Sequence, residues 1–588
     1  MNREEDIIKL IQQMCDDDRE EEVVRMIDNL PDEERTYKIV GLQARTLSNL
    51  AGMIRSGYTE SELNPDDLDR RALSILADTA EEGKDDPNWW CRNGYTRMGL
   101  NMEAEAIPFF EHVMTLIPDD PETQEFWSDV PEAIENCKKT VEFLEHPTLR
   151  EPPYIKKRSV MIAVSRVDDF TADMQAFRNR LGDIAGLESL EFEDVSQNTE
   201  TNTIEHVHGQ FCGEPFDMEI DRLEAFNASG MFISSYFNKQ DLELIGQERP
   251  GYGIDIRFGT ANPLAWLHLQ LKIATALVPK LLAIYDLSSQ QALSEAYVFS
   301  TARSSSGPHA SFAYSIASES NEQGSDTWLY TNGLARFGLP DIEIMHSDAN
   351  HSACHRKLIE AVASYMLWHQ APETRQTMRP DVPFAIMTGN VPLYIRLLPW
   401  NEAIKDGQKD KATPGSIRTR LKKMNANSCV IFAYENEDAM AADAYQPLWM
   451  KDDFLTNDRA DDLRLLHCEE ERKFAHNCSN EYFWLPEHVA KRTPEKAWFK
   501  FDLTNDEGEV EAVWTRLISY TDRHNFEVEI DDTPLALPYE QGDRLRFVDE
   551  HDVKLISWMV ETEQSNINPG NIYILDAEPS IKRELGIE

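Results

Sequence analysis

Apolar residues recur at three-to-four spacing from the start of the chain: Ile7, Ile8, Leu10, Ile11 and Met14, then Val23, Val24, Met26, Ile27 and Leu30, with acidic residues between them. That period predicts helix after helix as far as about His146, each with an apolar stripe and an acidic face. Pro31-Asp32 and Asn64-Pro65 punctuate the run. The pattern changes between His146 and Ser159, where HPTLREPPYIKKRS brings prolines and a basic run, the composition of a solvated linker at a domain boundary. Beyond it SVMIAV (Ser159 to Val164) reads as a buried strand and Ala172 to Leu181 as a helix. EHVHGQF and DMEID read as an alternating pair around a Gly-Glu-Pro turn, and MFISSYF as a further strand. Asn262 to Val278 predicts a long buried helix that runs at once into the strand KLLAIYD. This order suits an α+β sandwich over residues 158–290, a sheet with helices on one side.

A second such unit, 291–490, begins near Ala296. YVFSTAR, ASFAYSIAS and TWLYTNGLARFGLPDIEIM precede a helix from His351 to His369, and PFAIMTG, VPLYIRLLPW and SCVIFAYE follow. A polar, charge-dense connecting arm then runs from Glu435 to about Lys496. Residues 491–588 return to short alternating strands: AWFKFDLT, EVEAVWTRLISYT, NFEVEID, DRLRFVD and KLISWMVET, with turn residues at Asn505 to Gly508 and Gln541 to Asp543. Their local pairing predicts a small barrel or curled sheet able to fold alone. The fold class is multidomain α+β: an N-terminal all-helical repeat-like domain (1–148), two central α+β sandwich units and a small, mostly-β C-terminal domain.

Composition supports several cores. The chain has 588 residues, 41% of them AVILMFWYC, an ordinary globular value. The 58 Lys+Arg against 105 Asp+Glu leave a net charge of −47, and in the first quarter acidic residues outnumber basic ones more than two to one. This argues against nucleic acid and anionic membrane as partners, because affinity for either comes from cationic side chains that release counterions. It points instead to a protein partner, a basic one. The opening MNREEDIIKLIQQMCDDD has charges inside every turn and so no signal-peptide core. The nearest approach to a membrane span, Asn262 to Leu287, is broken by Lys272, Pro279 and Lys280. Eight cysteines without a CxxC read as reduced thiols, and the expected location is cytoplasmic.

No phosphate-cradling loop is present. Pro250-Gly251-Tyr252-Gly253-Ile254-Asp255 comes nearest but lacks the third glycine and the following helix, and no cofactor is expected. A GxSxG elbow is absent, and Arg303-Ser304-Ser305-Ser306-Gly307-Pro308-His309 reads as a flexible loop. The sharpest chemical candidate is a metal site at His351, Cys354 and His355, near His346 and Asp348, since His351 and His355 share one helix face a turn apart. A second group, His467, Cys468, His476 and Cys478, has ligand types pointing different ways. His206 and His208 fall on one face of a strand, and His268 is a core histidine; none of these three is given a role.

Trp90, Gly94, Ala106, Phe110 and Pro118 stand at the offsets of a tetratricopeptide-like helix pair, with Ala72 and Leu76 fitting one repeat earlier and Leu144 one later. Arg97 and Val113 depart from that pattern. The expectation is a solenoid of about three helix pairs. Through TWLYTNGLARFGLPDIEI, LLPWNEAI and SCVIFAYE the middle of the chain resembles the bacterial domain of unknown function 4026. Through AWFKFDL, Val513-Trp514, LPYEQGDRLRF and Ser557-Trp558 the C-terminal stretch resembles domain of unknown function 2314. The resemblance implies a cytoplasmic bacterial protein in a neighbourhood of toxin immunity and interaction modules, and no chemistry travels with it. The leading expectation is a non-enzymatic adaptor or immunity-like protein with an acidic binding surface, masking for instance a cationic toxin. The alternative is a metal-dependent hydrolase with its site at His351 and His355.

Overall fold

The computed structural model describes residues 3–55, 58–59, 61, 63–118, 123, 126–145, 158–193, 202–259, 262–321, 323–368, 384–388, 391–404, 414–421, 428–448, 455–457, 463–464, 469–504, 510–534, 537–547 and 554–587. The chain divides into two compact units, Met1–Thr148 and Leu149–Glu588. The linker expected at 146–159 lies outside the described residues except for Arg158 and Ser159.

The first unit is helical: α1 (Arg3–Asp16), α2 (Glu20–Asp28), α3 (Tyr37–Arg55), α4 (Pro65–Asp78), the short α5 (Ala80–Gly83), α6 (Pro87–Gly99), α7 (Glu103–Leu116) and α8 (Asp129–Glu145). Its apolar stripes close in three successive clusters rather than one core. Ile11, Val23, Ile27 and Ile39 form the first, Leu47, Leu50, Ala72, Leu76 and Trp89 the second, and Ala106, Phe110, Val113 and Cys137 the third. Gly94 is there because the helices touch: a Cβ on it would stand 2.6 Å from the Phe110 ring. Trp89 is more buried than Trp90, and its Nε1 donates to the Leu76 carbonyl at 2.9 Å.

The second unit carries three sheets. The first has the order β2-β3-β4-β6-β1-β7-β8-β5. Its strands are β1 (Ser159–Ser165), β2 (Leu187–Glu193), β3 (Thr203–Phe211), β4 (Glu214–Phe226), β5 (Phe232–Ile233), β6 (Arg249–Ile256), β7 (Leu281–Asp286) and β8 (Gln291–Ser294). Since β7 and β8 pair antiparallel, this unit continues past the expected edge at 290. Of the expected strand MFISSYF only Phe232–Ile233 pairs. The uninterrupted apolar run of β1 is buried on both faces. Met161 and Ala163 pack with the helix Pro263–Leu277, while Ile162 and Val164 pack with Phe237 and Ile245 beside the helix Lys239–Ile245. Helices therefore cover both faces of the central strands, not one, because a strand apolar on both sides must be covered on both.

The second sheet runs β16-β12-β13-β14-β11-β10-β9, with β15 also on β14. It comprises β9 (Ser315–Ser320), β10 (Thr327–Asn332), β11 (Asp341–Ser347), β12 (Phe384–Thr388), β13 (Val391–Pro399), β14 (Ser428–Tyr434), β15 (Tyr445–Pro447) and β16 (Leu463–Arg464). YVFSTAR forms the helix Glu295–Arg303 ahead of it. The third sheet is open, with order β20-β19-β18-β17-β21: β17 (Ala497–Thr504), β18 (Val510–Asp522), β19 (Asn525–Ile530), β20 (Arg544–Phe547) and β21 (Lys554–Val560). It does not stand apart. The expected arm contributes the helix Glu469–Glu481, which lies on β21, where Trp558 Nε1 donates to the Ser479 carbonyl at 3.0 Å and Ser479 Oγ to the Ile556 carbonyl at 2.7 Å. One continuous apolar core extends from Met161 to Leu585. Among the described residues no helix is long and apolar enough to cross a membrane.

Two buried ion pairs hold the central sheets. Gly333 (φ +118°) and Gly338 (φ +75°) flank the short 3₁₀ helix Leu334–Phe337 and let it fold tightly enough to aim Arg336 inward. Fully buried, Arg336 donates to Asp286 Oδ2 at 2.7 Å and to the Ala313 carbonyl at 2.6 Å, while Asp286 also accepts from Ser289 Oγ at 2.6 Å. In the second sheet Arg420 pairs with Glu343 at 2.5 and 2.8 Å between the rings of Trp328 and Trp400. Breaking one partner leaves a lone charge in the core, which costs about 3–5 kcal/mol. Arg336→Met is expected to lower the urea midpoint of the second unit strongly. The double change Arg336→Met with Asp286→Leu should recover much of that loss, read as a denaturation midpoint by circular dichroism.

Candidate functional site

The helix Ser352–Trp368 starts where Asp348 accepts from the Asn350 and His351 amides at 2.7 and 3.2 Å, and Asn457 Oδ1 accepts from the Ala353 amide at 2.8 Å. As the spacing predicts, His351 and His355 stack one turn apart, their ring centroids 5.7 Å from each other. The metal set does not form. His351 Nδ1 donates to Asp348 at 2.7 Å and His355 Nδ1 pairs with Ser347 Oγ at 2.9 Å, while Cys354 turns into the apolar core beside Leu358. The ligand atoms of the three do not gather, because Cys354 points into the core and adjacent helix positions such as Cys354 and His355 are rotated about 100° from each other. Among the described residues the one group of three ligating side chains within 4.8 Å is Glu193, His206 and His208.

His467 and Cys468 lie outside the described residues, and His476 Nδ1 donates to the Leu555 carbonyl at 2.8 Å. His268 is a core histidine, its Nε2 2.8 Å from the Thr301 carbonyl. The serine loop has a partner across the fold: the hydroxyls of Ser304, Ser305 and Ser306 all donate to Glu481 Oε2 at 2.9 to 3.0 Å. Burial drives the Glu481 carboxyl upward, and these hydrogen bonds outweigh it, leaving its pKa below the ordinary value. A cavity of about 430 Å³ lies beside this helix, with Trp368, Phe474 and Trp514 among its walls and Lys500 and Asp502 on β17.

The arrangement that best fits an acidic binding protein lies in the first unit. Asp18 takes a left-handed conformation (φ +54°) that reverses the chain between α1 and α2. The turn brings Asp18 and Glu20 beside Ser48, Asn49, Gly52 and Met53 of α3, Asp69 of α4 and Tyr95 of α6, around a groove of about 650 Å³. Asp69 is satisfied, accepting from Arg55 at 2.6 Å and Ser48 at 2.8 Å, and Arg55 also donates to Asp66 at 2.8 Å. Burial nonetheless keeps the Asp69 carboxyl above its ordinary pKa. Tyr58 donates to Asp18 at 3.2 Å. Glu20 differs: only 6% exposed, it has one carboxylate oxygen, Oε2, buried without a hydrogen-bond partner. A Cβ on Gly52 would meet nothing within 4 Å, so the α3 wall there is open. Sequence reasoning marked this stretch as acidic and helical but not Glu20, because one acid among the six between Asp16 and Glu22 is distinguished only by burial.

Residues 159–308 match the family model described as Protein of unknown function (DUF4026) N-terminal, and residues 314–432 the one described as Protein of unknown function (DUF4026) C-terminal. No curated protein and no solved structure matches the chain.

The buried histidines set a pH dependence. Burial holds both His355 and His268 down to about 4, against an ordinary 6.5. The unfolded chain takes up these protons below about pH 6.5 and the folded chain only near 4, so stability is full above that window and falls as pH drops through it. His355→Gln is expected to flatten this slope by up to about 1.4 kcal/mol per pH unit, measured from urea midpoints at pH 7 and pH 5.

Proposed function

We propose that the chain, which matches the two DUF4026 family models over residues 159–308 and 314–432, is a non-enzymatic interaction protein whose N-terminal helical unit receives a basic segment of a protein partner. The observation that carries this reading is the buried, unpartnered carboxylate oxygen of Glu20 on the wall of the α2–α3–α4–α6 groove. An isolated buried acceptor is costly. A lysine, arginine or amino-terminal group laid in the groove would satisfy it, and Asp18 would share the charge. Arg55 does not compete for this role, since Asp66 and Asp69 already occupy its guanidinium. The net charge of −47 would draw such a partner in and favour it over acidic competitors. An immunity-like role, covering a cationic protein, is the concrete form of this reading.

The test uses the full chain and a labelled Lys/Arg-rich peptide followed by fluorescence anisotropy. Binding is expected at low salt and should weaken as ionic strength rises. Glu20→Gln is expected to weaken it about tenfold or more, while the melting temperature holds or rises because an unpaired buried charge has been removed. A peptide indifferent to salt, or one bound equally well by Glu20→Gln, overturns the reading. So does a fall in melting temperature with binding intact, which would make Glu20 a structural residue.

A further inference from the structure

At one edge of the first sheet, β2, β3 and β4 pair antiparallel so that His206 lies opposite Glu193 and His208 opposite Asp217. Strand alternation puts both histidines on one face, and cross-strand pairing puts the two carboxylates on that same face. The rings stand 4.2 Å apart between their centroids. His206 turns Nδ1 to Glu193 Oε2 at 3.2 Å and Nε2 to Asp217 Oδ1 at 3.1 Å. His208 turns Nε2 to Glu193 Oε1 at 3.4 Å and Nδ1 to Asp217 Oδ1 at 3.2 Å. Asp217 is anchored by Arg158 at 2.9 Å, and Arg158 by Asp255 at 2.6 Å.

A neutral imidazole donates through one nitrogen only. If each ring gives its N–H to the anchored Asp217, then His206 Nδ1 and His208 Nε2 both point a lone pair at the Glu193 carboxylate. Lone pairs facing a carboxylate repel unless a cation lies between them. The separations of 3.2 and 3.4 Å are those of two ligands on one tetrahedral ion, about 3.3 Å apart for bonds of about 2.0–2.1 Å. A carboxylate accepting the far N–H of each ring is also the usual way metal-bound histidines are oriented. The site is reachable from solvent, with His206 and His208 side chains 26% and 40% exposed.

We propose that Glu193, His206 and His208 bind one divalent transition-metal ion of the zinc class, with Asp217 holding the two rings in the ligating tautomer. Two imidazole nitrogens and one carboxylate suit Zn²⁺, Co²⁺ or Ni²⁺ and not the all-oxygen preference of Ca²⁺ or Mg²⁺. Three protein ligands leave a coordination position open to water or to a group from outside. The inference concerns the second unit alone and does not depend on the groove of the first.

The test is calorimetric titration of the chelator-treated full chain with ZnCl₂, together with CoCl₂ titration followed by visible absorbance. One equivalent of Zn²⁺ is expected, with tetrahedral d–d bands from Co²⁺ and a rise in melting temperature on metal addition. His206→Ala and His208→Ala should each abolish the absorbance bands and the metal-induced rise. Asp217→Asn should weaken binding about 10–100-fold. His351→Ala should bind as the unaltered chain does. Because the two histidines are on a solvated face, the metal-free variants are expected to melt as the parent does. Absence of a stoichiometric ion, or uptake unchanged in the double variant His206→Ala with His208→Ala, overturns the proposal. Both rings titrating as imidazolium at neutral pH with Zn²⁺ present would do so too, since protons would then fill the place assigned to the metal.

Discussion

Arg336 is the charge around which the second unit is arranged. It leaves a turn between two strands of the second sheet and ends against Asp286 of the first, both side chains fully buried. A buried pair of this kind adds little net stability over an apolar substitute, but it tolerates only one arrangement, since any slippage strands a charge in the core. The surrounding polar groups match most of it, Arg336 Nε alone of the guanidinium nitrogens being buried without a partner. Ser288 and Ser289 amides donate to Asp286 Oδ1 at 3.1 and 3.3 Å, and Gln270, on an otherwise apolar helix, accepts from Ser159 Oγ at 2.7 Å and donates to the Ser159 and Ile254 carbonyls. The apolar core supplies the drive to collapse, and this network selects which collapsed arrangement is native.

The same economy of cations shapes the exterior. In a chain with 58 basic and 105 acidic residues, several arginines are taken up in matching buried carboxylates. Arg420 faces Glu343, Arg178 faces Glu205, Arg166 faces Asp241 and Arg55 faces Asp69, each of those acids being nearly inaccessible. Cations used this way do not offset the surface charge. Negative potential therefore gathers where acids stand together at the surface, at the exposed Asp16 to Asp18 turn beside the buried Glu20 in the first unit and on the Glu193, His206, His208 face of the second. Both functional readings rest on this imbalance, the first as attraction for a basic segment and the second as attraction for a metal ion.

Much of the fold was legible in the sequence. The helix Pro263–Leu277 and the strand β7 lie where the apolar run placed them, and all five strands of the third sheet fall on their alternating segments, because side-chain periodicity is a local property of the backbone. The failures also have local explanations. MFISSYF has strand composition, yet pairing stops after Phe232 and Ile233 at the sheet edge. The serine loop looked unconstrained because its partner, Glu481, is more than 170 residues away along the chain. The third sheet pairs locally as expected, but its independence does not follow, since the helix Glu469–Glu481, whose Ser479 carbonyl accepts from Trp558 of β21, completes its core from outside.

The candidate sites mark the division most clearly. The sequence by itself determined the elements, the acidic surface and the placing of His351 with His355, and of His206 with His208, on shared faces. It singled out His351 and His355 from helical spacing, which says which residues share a face and nothing of what that face meets. Tertiary structure decided that His351 and His355 are taken up by Asp348 and Ser347, and that β2 and β4 bring Glu193 and Asp217 to His206 and His208. The physical reason is register: which side chains lie opposite one another is set when strands pair, and a shift of one residue would turn Glu193 to the other face.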